Sequence, residues 1–480
     1  MFARNQEFEG DLFSGDSYIE RSAVPLYTIP VNDSARNGHN APNSPNSPNG
    51  HNAPNAPNST NGHTPPNVYN PSQETNHTSP RDTTRSRVFQ VLSDHPRISR
   101  PQIAEITGLS RATVSVVIDE LVESRLVVET GSGDSSGGRP PMILEFRPSA
   151  AYAIGAALYD YTWHIVATDL ASNVVDSETA TPTDNTAAES LSALSAGLER
   201  LRHRIDPARL LPVIGLGPPG LVDMTHGIIK SAVDLGWREV DIATTIAQET
   251  GLPVLTANRS KAGALAVLRR IAKPQTTNLI YISIGTGVAA GIILNGTLFV
   301  GANSSAGELG HMTIIPDGPL CECGNRGCLQ QLVSERAIEN AARQAMRRQP
   351  TGILQQKFGT YPEHLTAIDV LQAAEKEDPT ALTVIKRIAD YLAIATGNLI
   401  NLFNPEIIVL GGPIAEAGPL LTQLVTTYTR RHAMAHPLSA VRITKNTLGP
   451  ATGAIGAAVL VLQHADHLYF QLPQTPSPSR

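Results

Sequence analysis

From residue 151 to about 465 the chain alternates short apolar runs of strand length with longer stretches of helical period, and this alternation limits the possible folds most. Strands read at 213–217, 254–257, 279–284, 289–294 and 407–410, after a strand pair across 151–169. Helical spacing covers 188–205, 242–250, 260–272 and most of 370–401. Asn295-Gly296 reads as a hairpin turn. The pattern predicts an α/β domain of about 310 residues, large enough for two lobes. With 480 residues, 41% of them hydrophobic, the chain has material for further cores. Its net charge of −6 gives no whole-chain signal for nucleic acid, so any such binding must be local. No apolar run reaches about 18 residues, so no membrane span is expected. The N-terminus is acidic and lacks the apolar core of a secretory signal, which makes a cytoplasmic protein the expectation.

Before the α/β region the texture changes twice. Residues 31–80 are rich in Asn, Pro, Ser and His, with almost nothing to bury, so 1–80 is expected to be a disordered arm. His51 and His63 could bind a metal only weakly there. From Thr84 three short helical patterns follow: Val88, Phe89 and Leu92; then Ile103, Ala104 and Ile106, ended by Gly108; then Val114, Val117, Ile118 and Leu121. Two short strands at 126–129 and 142–146 come next, joined by GSGDSSGGRPP. Three helices and a hairpin over 81–148 predict a winged helix-turn-helix. Its third helix would enter a major groove by its N-terminal end, which directs Ser110, Arg111, Thr113 and Ser115 toward double-stranded DNA, with Arg100 beside them. Ser110 stands at the N-cap position. Arg139 on the Gly-Gly-Arg-Pro-Pro wing suits a narrow A·T-rich minor groove. Segment 85–147 holds eight arginines against eight acids, so a winged helix used for protein contacts is the competing reading.

The chain's three cysteines all lie between 321 and 328, a poor disulfide framework and a good metal pattern. His311, Cys321, Cys323 and Cys328 form a Cys₃His set, the usual complement of a closed structural Zn2+ site.

These residues carry a resemblance. Glu308-x-x-His311 followed by CxCGxxGC, GGRP on the wing, GLGPPGLVD at 215–223, SIGTGVAAGIILNG at 283–296 and LGGP at 410–413 are similar to the ROK family of repressors, open reading frames and kinases. The resemblance spans about residues 84–465. It implies an actin-like, sugar-kinase-like (ribonuclease H-like) two-lobed fold: lobe 1 over 149–272 with a returning helix at 452–465, lobe 2 over 273–451 with the zinc loop, and a flexible tail from 466. It implies zinc near a sugar site and homodimers or homotetramers. It also places Gly220, Asn258, Glu308 and His311 at sugar-contacting positions, with Gln330 where the family usually has Glu.

Two departures weigh against phosphoryl transfer. Ala156, Ala157 and Leu158 stand where family kinases carry the glycines of a first phosphate loop. Arg259 fills the slot of the general base, and a guanidinium cannot accept the sugar hydroxyl's proton. Gly285-Thr286-Gly287 still resembles a second phosphate loop. Arg259 could pair with a phosphorylated or acidic sugar, or with Glu308 to close the pocket. The expectation is a transcriptional regulator, most simply a repressor, answering to a sugar or sugar-phosphate effector. The alternative is a ROK sugar kinase with an added DNA-binding head.

Overall fold

The computed structural model describes residues 80–95, 97–132 and 142–472. The expected disordered arm, Arg139 on its wing tip and residues 473–480 lie outside the described residues.

The head is built from α1 (Pro80–Asp94), β1 (Arg97–Ser99), α2 (Arg100–Thr107), α3 (Arg111–Glu123), β2 (Val127–Ser132) and β3 (Met142–Phe146). Local chemistry sets its joints. Gln102 accepts from the Ser99 backbone N–H at 3.0 Å, closing a capping box, and Gly108 ends α2 in the left-handed region. The Ser110 hydroxyl accepts from the Thr113 N–H, which starts α3 one turn later. Leu92, Ile103, Val114, Ile118, Leu121 and Leu144 are fully buried between the helices and the sheet. The sheet has the order β1-β3-β2, so β1 adds a strand to the expected hairpin.

The remainder holds one topology twice. In lobe 1, β4 (Tyr152–Tyr159), β5 (Thr162–Asp169) and β6 (Val174–Ala180) form an antiparallel meander, and β7 (Leu210–Gly217) and β11 (Val254–Thr256) add parallel to β4. In lobe 2, β12 (Leu279–Ile284), β13 (Val288–Leu294) and β14 (Thr297–Leu298) repeat the meander, and β15 (Ile407–Gly411) and β16 (Arg442–Lys445) repeat the parallel additions. A small sheet, β8 (Leu221–Asp223), β9 (Ile228–Ala232) and β10 (Trp237–Asp241), projects from lobe 1. Helices α4 (Ala187–Arg202), α5 (Ile242–Thr250) and α6 (Arg259–Arg270) serve lobe 1. Lobe 2 carries α7 (Gln330–Val333), α8 (Glu335–Arg348), α9 (Gly352–Phe358), α10 (Ala367–Glu375), α11 (Pro379–Phe403), α12 (Pro413–Glu416), α13 (Leu420–Thr429) and α14 (Ala435–Ala440). This is the expected two-lobed α/β architecture.

The chain then returns to lobe 1 as α15 (Thr452–Leu462), which has almost no polar surface. It lies so close to its neighbours that glycine is required at the crossings. A Cβ on Gly456 would stand 1.7 Å from the Ala262 carbonyl oxygen, and one on Gly155 would stand 2.2 Å from that of Ala454. Both obstacles are backbone and cannot swing aside. Gly456→Ala is expected to cost about 3 kcal/mol or more, the upper range for overpacking. A denaturant midpoint moved by less than about 1 kcal/mol would contradict this packing.

Residues 466–472, expected to fall in a flexible tail, are instead ordered within α16 (Ala465–Leu468) and a 3-10 turn. Leu468 is fully buried, and Ser86 of α1 hydrogen-bonds Asp466. Tyr469 Oη donates to the Ser124 carbonyl oxygen at 2.5 Å, and the Arg85 guanidinium lies 4.3 Å from the centre of the Phe470 ring. The segment is held because it offers its apolar side chains to the same core that α1 fills.

Candidate effector cleft, metal loop and DNA-facing helix

Each lobe sends its strand ends and turns toward the gap between them. Asn258 follows β11 and caps α6: its Oδ1 accepts from the Ser260 N–H at 2.8 Å. Its Nδ2 donates to the Gly220 carbonyl oxygen at 2.5 Å, so two of the expected sugar residues are in direct contact. Glu308 and His311 bracket a short 3-10 turn after β14. Gln330 opens α7, and its Oε1 accepts from the Val288 N–H at 3.4 Å, a role open to a neutral amide as to a carboxylate.

The structure adds a residue that sequence reasoning missed. Lys261, two positions after Arg259, is 2% exposed and makes no hydrogen bond or ion pair within 4 Å among the described residues. Burial lowers its pKa, against the pull of Glu308. Burial raises that of Glu308, against the pull of Lys261 and His311. A buried ammonium and a half-buried carboxylate thus act on one another from too far apart for an ion pair, leaving donor and acceptor capacity between them. The sequence signal was the run of small and apolar residues Ala262–Val267 that follows it, and in the structure every residue from Ser260 to Val267 is buried.

Arg259 does not pair with Glu308. Its Nη1 donates to the Leu158 carbonyl oxygen at 3.4 Å, on the other side of the helix start. There it meets an acidic group. The tip of the β4–β5 hairpin is Asp160-Tyr161, both at positive φ (47° and 60°). Ala156, Ala157 and Leu158 lie inside β4 with their side chains in the core, 0–3% exposed. The three residues set against the family's first phosphate loop thus lie within the strand, and an acid and a phenol occupy the hairpin tip. Asp234, between β9 and β10, reaches the Gly285–Gly287 turn, where a Cβ on Gly287 would stand 3.2 Å from its Oδ2. A Cβ on Gly285 would stand 3.4 Å from Glu335 Oε1. Tyr159 Oη donates to Glu416 at 3.3 Å and ties the lobes together.

Burial pushes the Glu335 carboxyl up to about 7, helped by Asp160, Glu339 and Asp234 and opposed by Arg259. An acid raised in the fold supports stability at low pH and withdraws that support as pH climbs through the folded value. Glu335→Gln should therefore match the parent near pH about 4.5 and exceed it above pH about 7, by on the order of 1 kcal/mol once solvent screening of a half-buried group is allowed for. Unfolding midpoints at the two pH values test this; a gap of the opposite sign would refute it.

His311, Cys321, Cys323 and Cys328 come together as expected, with ligand atoms all within 4.8 Å of one another. Cys323 and Cys328 sulfurs are 3.7 Å apart, and Cys321 Sγ is 3.7 Å from His311 Nδ1. A tetrahedron with metal–sulfur bonds of about 2.3 Å has edges of about 3.8 Å, so the donor set fits such a metal. Cys321 and Cys328 are buried. Without a cation the Cys328 thiol is pushed by burial up to about 12.

On the head, Arg111 makes no hydrogen bond or ion pair among the described residues. Ser110 and Thr113 hydroxyls lie 2.7 Å apart, engaged with each other in the cap. Arg100 is spoken for: its guanidinium pairs with Asp119 and Glu129, both at 2.8 Å, and donates to the Ser115 carbonyl oxygen. It fixes α2, α3 and β2 to one another.

A winged helix set on a two-lobed sugar-kinase scaffold is the class of protein that this fold and these sites define. The chain belongs to the ROK family, whose profile matches residues 161–464, and a winged helix-turn-helix DNA-binding profile matches 81–128. It is 30% identical over 390 residues to a putative xylose repressor of Caldicellulosiruptor sp. (strain Rt8B.4), covering 81% of this chain and 97% of that one. It is 37% identical to a glucokinase of Halalkalibacterium halodurans, over only 53% of this chain and 77% of the enzyme. Among solved structures, a ROK family transcriptional regulator described as a homolog of the E. coli MLC protein superposes with a TM-score of 0.69 at 26% identity, covering 82% of this chain and 98% of that one.

Proposed function

We propose that this protein is a transcriptional repressor of sugar uptake or metabolism genes. It binds a duplex operator through the head and is controlled by a sugar or sugar phosphate held between the lobes. The observation that carries the reading is one chain holding a winged helix and a sugar-type cleft whose base position is Arg259, a group that stays protonated and cannot take a hydroxyl proton. Asn258, Gly220, Lys261, Glu308, His311 and Gln330 would receive the effector. Zinc in the Cys₃His site would brace the loop that presents Glu308 and His311. The repressor would act as a homodimer or homotetramer in the cytoplasm, on nucleoid DNA; among the described residues no helix is long and apolar enough to cross a membrane. Near-full-length similarity to a repressor supports this reading. The glucokinase match, over 53% of this chain, is what supports the rival kinase reading.

Effector closure of the lobes would be felt at the head through α6, α15 and the docked 465–472 segment. A coupling of about 1–3 kcal/mol corresponds to roughly 5–150-fold in operator affinity. Operator affinity measured against a panel including D-xylose, D-glucose, N-acetylglucosamine and their phosphates tests it. Unchanged affinity across the panel rejects effector control. Lys261→Met should weaken binding of the active sugar by about tenfold or more, the worth of a hydrogen bond to a charged group.

A further inference from the structure

The outward face of α3 has an unusual make-up for a surface that meets a polyanion. Val114, Val117, Ile118 and Leu121 turn inward and are 0–3% exposed. Arg111, Ala112, Val116 and Asp119 are exposed, with Ser115 half-buried beside them. Val116 is 57% exposed, in the middle of a helix whose inner side is already filled. Asp119, the acid on this face, is held by Arg100 at 2.8 Å, and Arg111 is left as the unpaired cation. The face thus presents one free positive charge and two aliphatic side chains, Ala112 and Val116, one helical turn apart.

A duplex major groove offers donors and acceptors on every base pair but one apolar feature, the thymine C5 methyl. The geometry points to Ala112 and Val116 as readers of thymine methyl groups, which makes Val116 a specificity-determining residue of the operator contact. This rests on the DNA-binding reading above. The paired state of Asp119 favours nucleic acid over a protein partner, since it neutralises the acid nearest Ala112 and Val116, with exposed Glu123 a further turn toward the C-terminal end, and leaves Arg111 at the N-terminal end to approach phosphate or guanine. A four-residue separation is about 6 Å along the helix, so the two side chains meet different base pairs.

The test uses the full chain to select duplexes from a random pool. The selected operator is then made with each thymine replaced in turn by deoxyuridine, which lacks only the methyl. At one or two positions per half-site, deoxyuridine is expected to weaken binding about fourfold, the worth of one buried carbon. Val116→Ala, a change on an exposed face toward a better helix former, should abolish the discrimination at one of them. Arg111→Ala should weaken binding to thymine and deoxyuridine duplexes alike. Tight binding that is indifferent to deoxyuridine at every position overturns the inference and leaves the DNA-binding reading intact. Failure to enrich any duplex overturns both.

Discussion

Cys328→Ser is expected to empty the metal site and to remove several kcal/mol of stability. Structural zinc contributes roughly 10–16 kcal/mol in small finger peptides, and part of that is retained here by the surrounding lobe. The loop has little else to hold it. Between Leu309 and Leu329 the side chains fully or nearly fully buried are few, and two of them are Cys321 and Cys328. With the metal gone, a buried thiol and hydroxyl would remain where thiolates had been bound. The parent should carry about one zinc per chain by elemental analysis, and the variant under a tenth of that. Amide exchange should rise across 308–330 first, and sugar binding should fall with it because Glu308 and His311 belong to the same loop. A metal-free parent with protected amides in this loop would remove the structural role assigned to the ion.

The second large effect concerns phosphoryl transfer. Family kinases would turn over at about 1–100 s⁻¹, and loss of the general base alone costs about 10²–10⁴. From that loss alone the parent is therefore expected to fall to roughly 10⁻⁴ to 1 s⁻¹ in a coupled assay. Arg259→Asp puts a carboxylate back in the base position and should still fail. It replaces a cation with a negative charge in a region where Asp234 already borders the Gly285–Gly287 turn and Asp160 acts on the neighbouring Glu335. The like charges would repel triphosphate where a phosphate loop needs bare backbone N–H groups. Turnover of the parent well above about 1 s⁻¹ would establish the kinase reading. Turnover near that level only in Arg259→Asp would show that the acids do not guard the turn.

The readable parts of the sequence were those where periodicity and burial agree. The three head helices bury one face each, and their apolar spacing shows it. Strand β15 is buried throughout and β7 and β12 at all but one position each, and they read as nearly continuous apolar runs. What escaped had a weak or mixed pattern. β6, VVDSETA, is an edge strand with its two valines exposed. Strands β8–β10 are three to five residues long, too short to show alternation. The metal ligands were legible because few arrangements of Cys and His have another use. The acidic half of the cleft was not, because Asp160, Asp234 and Glu335 are about 75 and 100 residues apart in sequence and only the paired lobes bring them to one turn.

The seating of residues 465–472 against the head has a consequence for how the protein is made. Tyr469 and its partner Ser124 are separated by 345 positions. At ribosomal speeds of about 5–20 residues per second, the head emerges roughly 17–70 s before the side chains that clamp it have been synthesised. A chain stopped before residue 465 would release a head with its own core and no clamp, tethered to a nearly finished sensor. Messages cut short ahead of those codons would thus yield products that still carry the operator-recognition helix but have lost the joint through which a sugar is reported.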